Sequence, residues 1–470
     1  MYVEQLYTGC LSEAAYYIES NGEAAIVDPL RDIEEYVSLA KKRNAVIKYI
    51  FETHFHADFV SGHIDLSKAT GAPIIYGPGT KTAFPVHIAK DNEVFNLGNV
   101  SIQVLHTPGH TLESCCFLLK DDHNKDYAVF TGDTLFVGDV GRPDLAQKGE
   151  SLTANDLAGI MYDSLHEKIM TLADDVIVYP AHGAGSSCGK NIGSQTSSTI
   201  GNEKETNYAL KAQTKEEFIA SVTEGLQLPP LYFPINAKIN KEGYESLDKI
   251  LEQALKPLGV DKVKKLMRDD SVIFLDTRST EDFTEGFVPG SVFIGLDGRF
   301  AEWAGSLLPF DKTILIIAEP GKEKESAVRL ARVGFSKFAG FLEGGFAAWK
   351  NAGETIDLII NIEPDELAMD IPHDEKLVVI DVRRETEFAD GHIKDAINIP
   401  LSELIDPASM ANIEDDQNLY VHCAGGYRSV IASSLLKKQG IHNLYNVVGG
   451  FDKIKLETKI KTEKEKSVLN

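Results

Sequence analysis

Short apolar runs alternate with polar loops through the first half of the chain. They read AAIVDP (24–29), VIKYIFETH (46–54), APIIYG (72–77), SIQVLHTPG (101–109), YAVFTGD (127–133) and VIVYPAHG (176–183). Runs this short, bounded by Gly and Pro, predict strands. Several end on His or Asp just before a turn, which puts polar side chains at the rim of a rigid sheet, where sites are commonly built. Helical spacing falls between them, in IEEYVSLAKKRN (33–44) and LTANDLAGIMYDSLHEKIMTL (152–172).

From about residue 257 the texture becomes regular strand–helix alternation, the mark of a parallel α/β sheet. A repeat with a period of about 105 residues appears there. VIFLDTRSTEDFTEGFVPGSVFIG (272–295) matches VVIDVRRETEFADGHIKDAINIP (378–400) in its order of strand, Asp-x-Arg, acidic helix, Gly turn and second strand. The endings FLEGGFAAWKNAG (341–353) and NVVGGFDKIKLE (446–457) correspond as well. So long a period means duplicated domains rather than a solenoid. The charged tail after about residue 455 is expected to fray into solvent.

A chain of 470 residues exceeds one core and suggests about three domains. The net charge of −24 argues against binding to a phosphate backbone, so no nucleic-acid partner is expected. No apolar run of about 18 residues occurs, and the N-terminal stretch lacks a basic start and an apolar core. Neither membrane nor secretion is therefore expected. Five cysteines without a CxxC pair make a poor disulfide framework and fit a reducing, cytoplasmic setting. Cys10, Cys115 and Cys116 are expected to be plainly buried.

Chemistry concentrates in two places. ETHFHADFVSGH supplies His54, His56 and Asp58, followed by His110 in HTPGHT, Asp133 in FTGDTLF and His182 in YPAHG. A single histidine capping a surface turn would be unremarkable, but six ligand-type residues at strand ends point to a metal. Imidazole with carboxylate suits zinc, iron or manganese rather than calcium. Cys188 follows on a Gly/Ser-rich loop near the same rim, either as an inert thiol or as an auxiliary group handling sulfur. Arg142 and Asp144 in GRPDL either clamp an anionic substrate tail or form a structural ion pair.

Through THFHADFVSG, TPGHT, GDTLF and PAHG, residues 1–245 resemble the metallo-β-lactamase superfamily, in its glyoxalase II branch. The resemblance implies an αββα sandwich. FVGDVGRPDL (136–145) is more similar to the persulfide dioxygenases of that branch than to its thiolester hydrolases. Those dioxygenases imply one Fe(II) per chain on His54, His110 and Asp133, with zinc as the alternative. The superfamily's dinuclear pattern expects histidine at position 59, and this chain has Phe59. A phenyl ring ligates nothing, so a second site would rest on Asp58, His182 and a bridging Asp133. His56, Asp58 and His182 are then expected to orient ligands or water.

The second place is NLYVHCAGGYRSVIASSLLKKQG, read as strand, loop, helix. Its loop, Cys423, Ala424, Gly425, Gly426, Tyr427 and Arg428, fits C-x-x-G-x-R. Glycines let backbone N–H groups turn inward, and the following helix N-terminus adds positive potential. Both favour a thiolate nucleophile on Cys423, and Arg428 offers a cation to an anionic donor. With IDVRRETEFADGHI upstream, residues 362–460 resemble the rhodanese family, implying an α/β domain with a parallel sheet and Cys423 as a persulfide carrier. Asp381 and Arg383 match that family's structural Asp-x-Arg. Residues 257–353 form a second rhodanese-like domain in which Ala318 or Glu319 falls at the cysteine position and Lys322 to Glu325 replace the Gly-x-Arg end. That domain is expected to be inactive.

The combined resemblance implies oxidation of low-molecular-weight persulfides by O2 to sulfite, coupled to sulfane-sulfur transfer at Cys423 that makes or uses thiosulfate. A thiolester hydrolase fused to a sulfurtransferase is the first alternative, and a non-catalytic persulfide sensor or carrier the second. Related metal domains often pair, so a homo-oligomer is among the expectations.

Overall fold

The computed structural model describes residues 1–147, 152–226, 228–410, 413–414 and 416–465. They form two compact units, one of residues 1–249 with 330–336, the other of 250–329 with 337–470.

The first unit holds two six-stranded sheets. One runs Tyr2–Thr8, Glu13–Ser20, Glu23–Val27, Val46–Phe51, Ile74–Tyr76, His87–Ile88. The other runs Ser198–Thr199, Ile177–Pro180, Asp126–Gly132, Cys115–Lys120, Val100–His106, Val94–Leu97. Strand Glu13–Ser20 shows why they stack, since successive side chains point to opposite faces. Ala14, Tyr16 and Ile18 meet Val104, Phe117 and Phe130 between the sheets. Ala15 and Tyr17 face the other way, with Tyr36, Ala40 and Leu66 from helices Glu34–Lys42 and His63–Thr70. A third core beneath the second sheet takes Leu157, Ala158 and Met161 of helix Ala154–Ser164 and Phe218 and Val222 of helix Lys215–Thr223. This is the expected αββα sandwich, each buried aromatic adding about 1.5–3 kcal/mol.

The second unit carries two five-stranded sheets of the same strand order, every pairing parallel. The first is ordered Pro257–Leu258, Phe338–Leu342, Thr313–Ile317, Val272–Asp276, Val292–Phe293. The second is ordered Ile360–Ile362, Leu444–Val447, Asn418–His422, Leu377–Asp381, Ile397–Asn398. The duplication extends to side chains. Arg278 reaches Asp276 at 2.7 Å and the Gly286 carbonyl at 2.8 Å, and Arg383 reaches Asp381 at 2.6 Å and the Gly391 carbonyl at 2.7 Å. Phe346 and Phe451 cover the two guanidinium groups.

Two expectations need correction. The tail does not simply fray: Ile460 is buried, and Thr462–Glu463 pairs with His392–Ile393. Residues 466–470 lie outside the described residues. Cys10 is only half-buried, whereas Cys115 and Cys116 are buried within strand Cys115–Lys120. No helix among the described residues is long and apolar enough to cross a membrane.

Candidate metal centre and sulfur-transfer loop

Sheet register brings the strand ends together. Asp126–Gly132 and Ile177–Pro180 run parallel with Gly132 opposite Pro180, so Asp133 and His182 leave the sheet side by side. Gly132, at φ +52°, lets this end approach strand Val46–Phe51 and its exit, because a Cβ there would lie 2.6 Å from the Thr53 side chain.

Thr53 is a hinge of the site. Its hydroxyl donates to Asp28 Oδ2 (2.9 Å) and so accepts from His54 Nδ1 (2.9 Å). His110 Nδ1 likewise donates to the Arg142 carbonyl (2.9 Å). Both bonds place the N–H on Nδ1 and leave Nε2 free to ligate. The two Nε2 atoms converge on one oxygen, Asp133 Oδ2, at 3.8 Å from His54 and 3.4 Å from His110. All three side chains are buried. Burial, then the neighbouring His56, His110 and His182, hold His54 well below the usual histidine range, so it stays neutral and able to ligate.

His182 Nε2 lies 3.4 Å from Asp58 Oδ2 and 3.4 Å from Asp133 Oδ1, so Asp133 presents one oxygen to each side. Ligand atoms of His56, Asp58 and His182 also lie within 4.8 Å of one another. His56, however, sits 3.0 Å from Asp28 and 3.7 Å from Glu52 and stacks on Phe59 at 4.3 Å. Burial opposes its protonation, but the Asp28 carboxylate prevails and pushes His56 up to about 10.

A cation fits this donor set. Both Asp133 oxygens, Asp58 Oδ1 and His182 Nε2 are buried without a hydrogen-bond partner from the protein. Leaving such groups unpaired costs about 1–3 kcal/mol each, more when charged, and a metal shared among them removes that cost.

Arg142 binds Asp144 through two contacts of 2.7 and 2.8 Å and reaches the Ser187 carbonyl at 3.3 Å. Cys188 is buried beside Asp133 and His182, and burial, followed by the charges of Asp58 and Asp133, pushes its thiol up. Asn240, on helix Phe233–Glu242, donates to the carbonyls of His56 and Phe59 (2.8 Å each) and pins the ligand loop. Nothing in the sequence pattern singled out Asn240. Asp28, by contrast, ends the run AAIVDP and carries the same strand-end signal as the ligands.

In the second unit Cys423 follows strand Asn418–His422, and helix Tyr427–Lys438 begins four residues later. Gly426, at φ +106°, caps that helix, and its N–H points at Cys423 Sγ, 3.1 Å away. Ala424 and Gly426 are half-buried and Gly425 exposed, so the loop borders solvent while the sulfur sits at its base. Arg428 does not stand free. Glu387 on helix Glu385–Ala389 binds it through two contacts of 2.7 Å. Tyr427 donates to the carbonyl of Gly295 in the first repeat (2.7 Å).

Geometry also decides which residue stands for the cysteine in that repeat. A Cβ on Gly345 would meet the Ala318 carbonyl at 2.8 Å, and one on Gly450 the Cys423 carbonyl at 2.3 Å. Ala318 is therefore the counterpart of Cys423. The loop after it holds a Lys322–Glu325 ion pair (2.8 Å) and a Gly321 N–H bonded to Glu323.

Comparison with known proteins agrees with this layout. The metallo-beta-lactamase superfamily model matches residues 8–182, and the rhodanese-like domain model matches residues 259–352 and 363–457. A probable hydroxyacylglutathione hydrolase of Schizosaccharomyces pombe is 32% identical over 183 residues, 38% of this chain. The chain spans 66% of that relative, just under two thirds. The mitochondrial persulfide dioxygenase ETHE1 of Homo sapiens is 30% identical over 209 residues, 44% of this chain and 73% of that one. Identity at this level does not separate the two activities. A crystal structure of a metallo-beta-lactamase from Staphylococcus aureus subsp. aureus COL superimposes with a TM-score of 0.65 at 31% identity, covering 73% of this chain and 98% of that one.

Proposed function

Because this chain belongs to the metallo-beta-lactamase superfamily and carries two C-terminal rhodanese-like domains, we propose that it oxidises a low-molecular-weight persulfide with O2 and transfers sulfane sulfur through Cys423. The metal chemistry belongs to residues 1–245 and the transfer to residues 362–460, with residues 257–353 inactive. One observation carries the first half: His54 and His110 aim Nε2 at one oxygen of Asp133, while His56 is held by Asp28 and position 59 offers only a phenyl ring. Two histidines and one carboxylate with open positions suit a single Fe(II), which when bound supplies the O2 chemistry.

The protein's own groups do the rest. Asp28 through Thr53, and the Arg142 carbonyl, fix the ligand tautomers. The bonds of Arg142 to Asp144 and Ser187 hold the segment that carries that carbonyl. The overall oxidation balances as RSSH + O2 + H2O → RSH + SO3²⁻ + 2H⁺. At Cys423, the thiolate attacks the outer sulfur of a second persulfide, forming Cys–S–S⁻ and releasing RSH. Sulfite then takes that sulfur as thiosulfate and restores the thiolate, and the reverse direction uses thiosulfate as donor. The Gly426 N–H and the helix N-terminus favour the charged sulfur. A cytoplasmic setting is part of the proposal and rests on five free cysteines.

A second reading, thiolester hydrolysis, is favoured by the hydrolase relative and by the donors around His182. Metal analysis with O2 uptake on glutathione persulfide decides between them. One iron per chain and persulfide-dependent O2 loss are expected. Stoichiometric zinc, with activity undiminished after iron is chelated away, would overturn the dioxygenase reading.

A further inference from the structure

Residues 330–336 belong to the cysteine-less repeat in sequence, yet they fold as part of the first compact unit. They begin in the last turn of helix Glu323–Arg332. The final carbonyls of a helix have no partner within it, and here the last three find partners beyond it. Leu330 accepts from the N–H groups of Val333 (3.1 Å) and Phe335 (3.2 Å), and Ala331 from that of Gly334 (3.1 Å). Ala331 also accepts from Arg31 Nη1 at 3.1 Å, a cation placed where the negative end of the helix dipole favours one. The Arg332 carbonyl takes the N–H of Val60, 2.6 Å away.

That last bond reaches the loop that follows His54. The Val60 N–H shares a peptide group with the Phe59 carbonyl, which accepts from Asn240 at 2.8 Å. The peptide is thus held at both polar ends, by Asn240 on one side and Arg332 on the other. Phe59 is fully buried and stacks on His56 at 4.3 Å. His56 in turn shares Asp28 with Thr53, the residue that orients His54. Val60 is also fully buried, and an N–H left unpaired there costs about 1–3 kcal/mol. Side chains hold the partner carbonyl in place. Arg332 binds Asp32 through contacts of 2.8 and 2.6 Å. Arg31, buried over the Tyr244 ring at 4.7 Å, also donates to the Glu245 carbonyl. The segment carrying both is stitched to the same loop, because Leu30 bridges Ser61 and the Gly62 N–H donates to the Pro29 carbonyl at 2.7 Å. A Cβ on Gly62 would lie 2.0 Å from the Leu30 carbonyl, so that approach needs glycine.

We propose that residues 330–332 are a positioning element of the metal centre. They act through the Phe59–Val60 peptide, with the Arg332–Asp32 pair as the clasp. The repeat that lacks a cysteine thereby contributes to the metal site rather than to sulfur transfer. The inference rests on the metal-centre half of the reading above, and holds whichever metal binds and whichever reaction it runs. Arg332 supplies no ligand. It fixes the peptide that sets Phe59 against His56, so its loss loosens the ligand loop without removing a donor.

The test uses the full chain loaded with Co²⁺, whose visible absorption reports ligand geometry, and follows release of the metal to a chelator. Arg332→Ala is expected to shift the visible bands and to release cobalt on the order of tenfold faster. Arg332→Lys, which keeps the charge but not the two-pronged contact, should fall between that variant and the wild type. With iron bound, Arg332→Ala should lower kcat for persulfide-dependent O2 uptake and leave KM nearly unchanged. Its sulfur transfer from thiosulfate to cyanide should match the wild type. Lys337→Ala, at an exposed position of the same repeat, should match the wild type throughout. In the wild type, the Val60 N–H should exchange with solvent as slowly as the core strands, a measurement that needs no variant to fold. Unchanged bands and release in Arg332→Ala, a lysine variant no better than alanine, equal loss of metal retention and sulfur transfer, or rapid exchange at Val60 would each overturn the proposal. A wild type without persulfide-dependent O2 uptake would instead overturn the dioxygenase reading, and the cobalt comparison would still judge the role of Arg332.

Discussion

His54 and His110 are each oriented before any metal arrives, one by the Thr53 hydroxyl and one by the Arg142 carbonyl, and both face Asp133 Oδ2. Removing one of the three proposed donors leaves two, too few to hold a ferrous ion against water. His110→Ala is therefore expected to lose iron and persulfide-dependent O2 uptake together, as measured by metal analysis and an oxygen electrode. Iron retained with O2 uptake intact would remove His110 from the ligand set. Phe59 acts by what it lacks: its ring is fully buried against His56 and offers no donor. Phe59→His should raise the capacity for a second iron and introduce weak thiolester hydrolysis, whereas a wild type already holding two irons would make that position irrelevant. At this scale much of the centre was legible, because HxHxD, TPGHT and PAHG put ligand types at strand ends. The supports were less so. The carbonyl of Arg142 and the side chain of Asn240 act through tertiary placement, which residue spacing along the chain does not encode.

The loops between strand and helix tell a similar story one level up. Strand, glycine turn and helix around Cys423 could be read from period and composition, and the structure forms them. The partner of Arg428 could not, because Glu387 stands 41 residues away on another helix. With that carboxylate bound to it, Arg428 presents the loop with a neutralised cation rather than the free one the motif suggests. Burial tends to raise Glu387, but its bonds to Arg428 prevail and hold it below the usual carboxylate range, so the pair persists at neutral pH. Its folded-state range lies below the unfolded one, so the stabilisation is complete above the ordinary glutamate range and fades as pH falls through the lowered one. Glu387→Gln should therefore free positive charge for thiosulfate and lower its KM roughly twofold to fivefold, corresponding to about 0.5–1 kcal/mol for a partly exposed pair. A raised KM would mean instead that Glu387 holds Arg428 in its working position. The tail illustrates the opposite failure of pattern reading. KIKLETKIKTEK looks solvated by composition, yet Ile460 is buried and Thr462–Glu463 adds a strand partner.

At the scale of the whole chain, the proposed metal donors and Cys423 belong to different compact units, and the independence of the two proposed reactions can be tested directly. Cys423→Ser should abolish sulfur transfer from thiosulfate to cyanide, because a hydroxyl does not reach a thiolate-like nucleophilic state at neutral pH. Iron content and O2 consumption with added persulfide should stay largely intact, since none of the first unit's donors is altered. With the carrier gone, sulfite has no enzyme-bound sulfur to accept, and the product should shift from thiosulfate toward sulfite. Ala318→Cys introduced into this variant should not restore transfer, although Ala318 is the geometric counterpart of Cys423. The loop beyond it holds the Lys322–Glu325 pair and an N–H already committed to Glu323, where the active loop aims the Gly426 N–H at sulfur. Product analysis by ion chromatography, run beside the oxygen electrode, reads both halves in one sample. If Cys423→Ser stopped O2 consumption outright, the metal centre would depend on sulfur delivered by that cysteine, and an obligatory relay would replace two separable reactions.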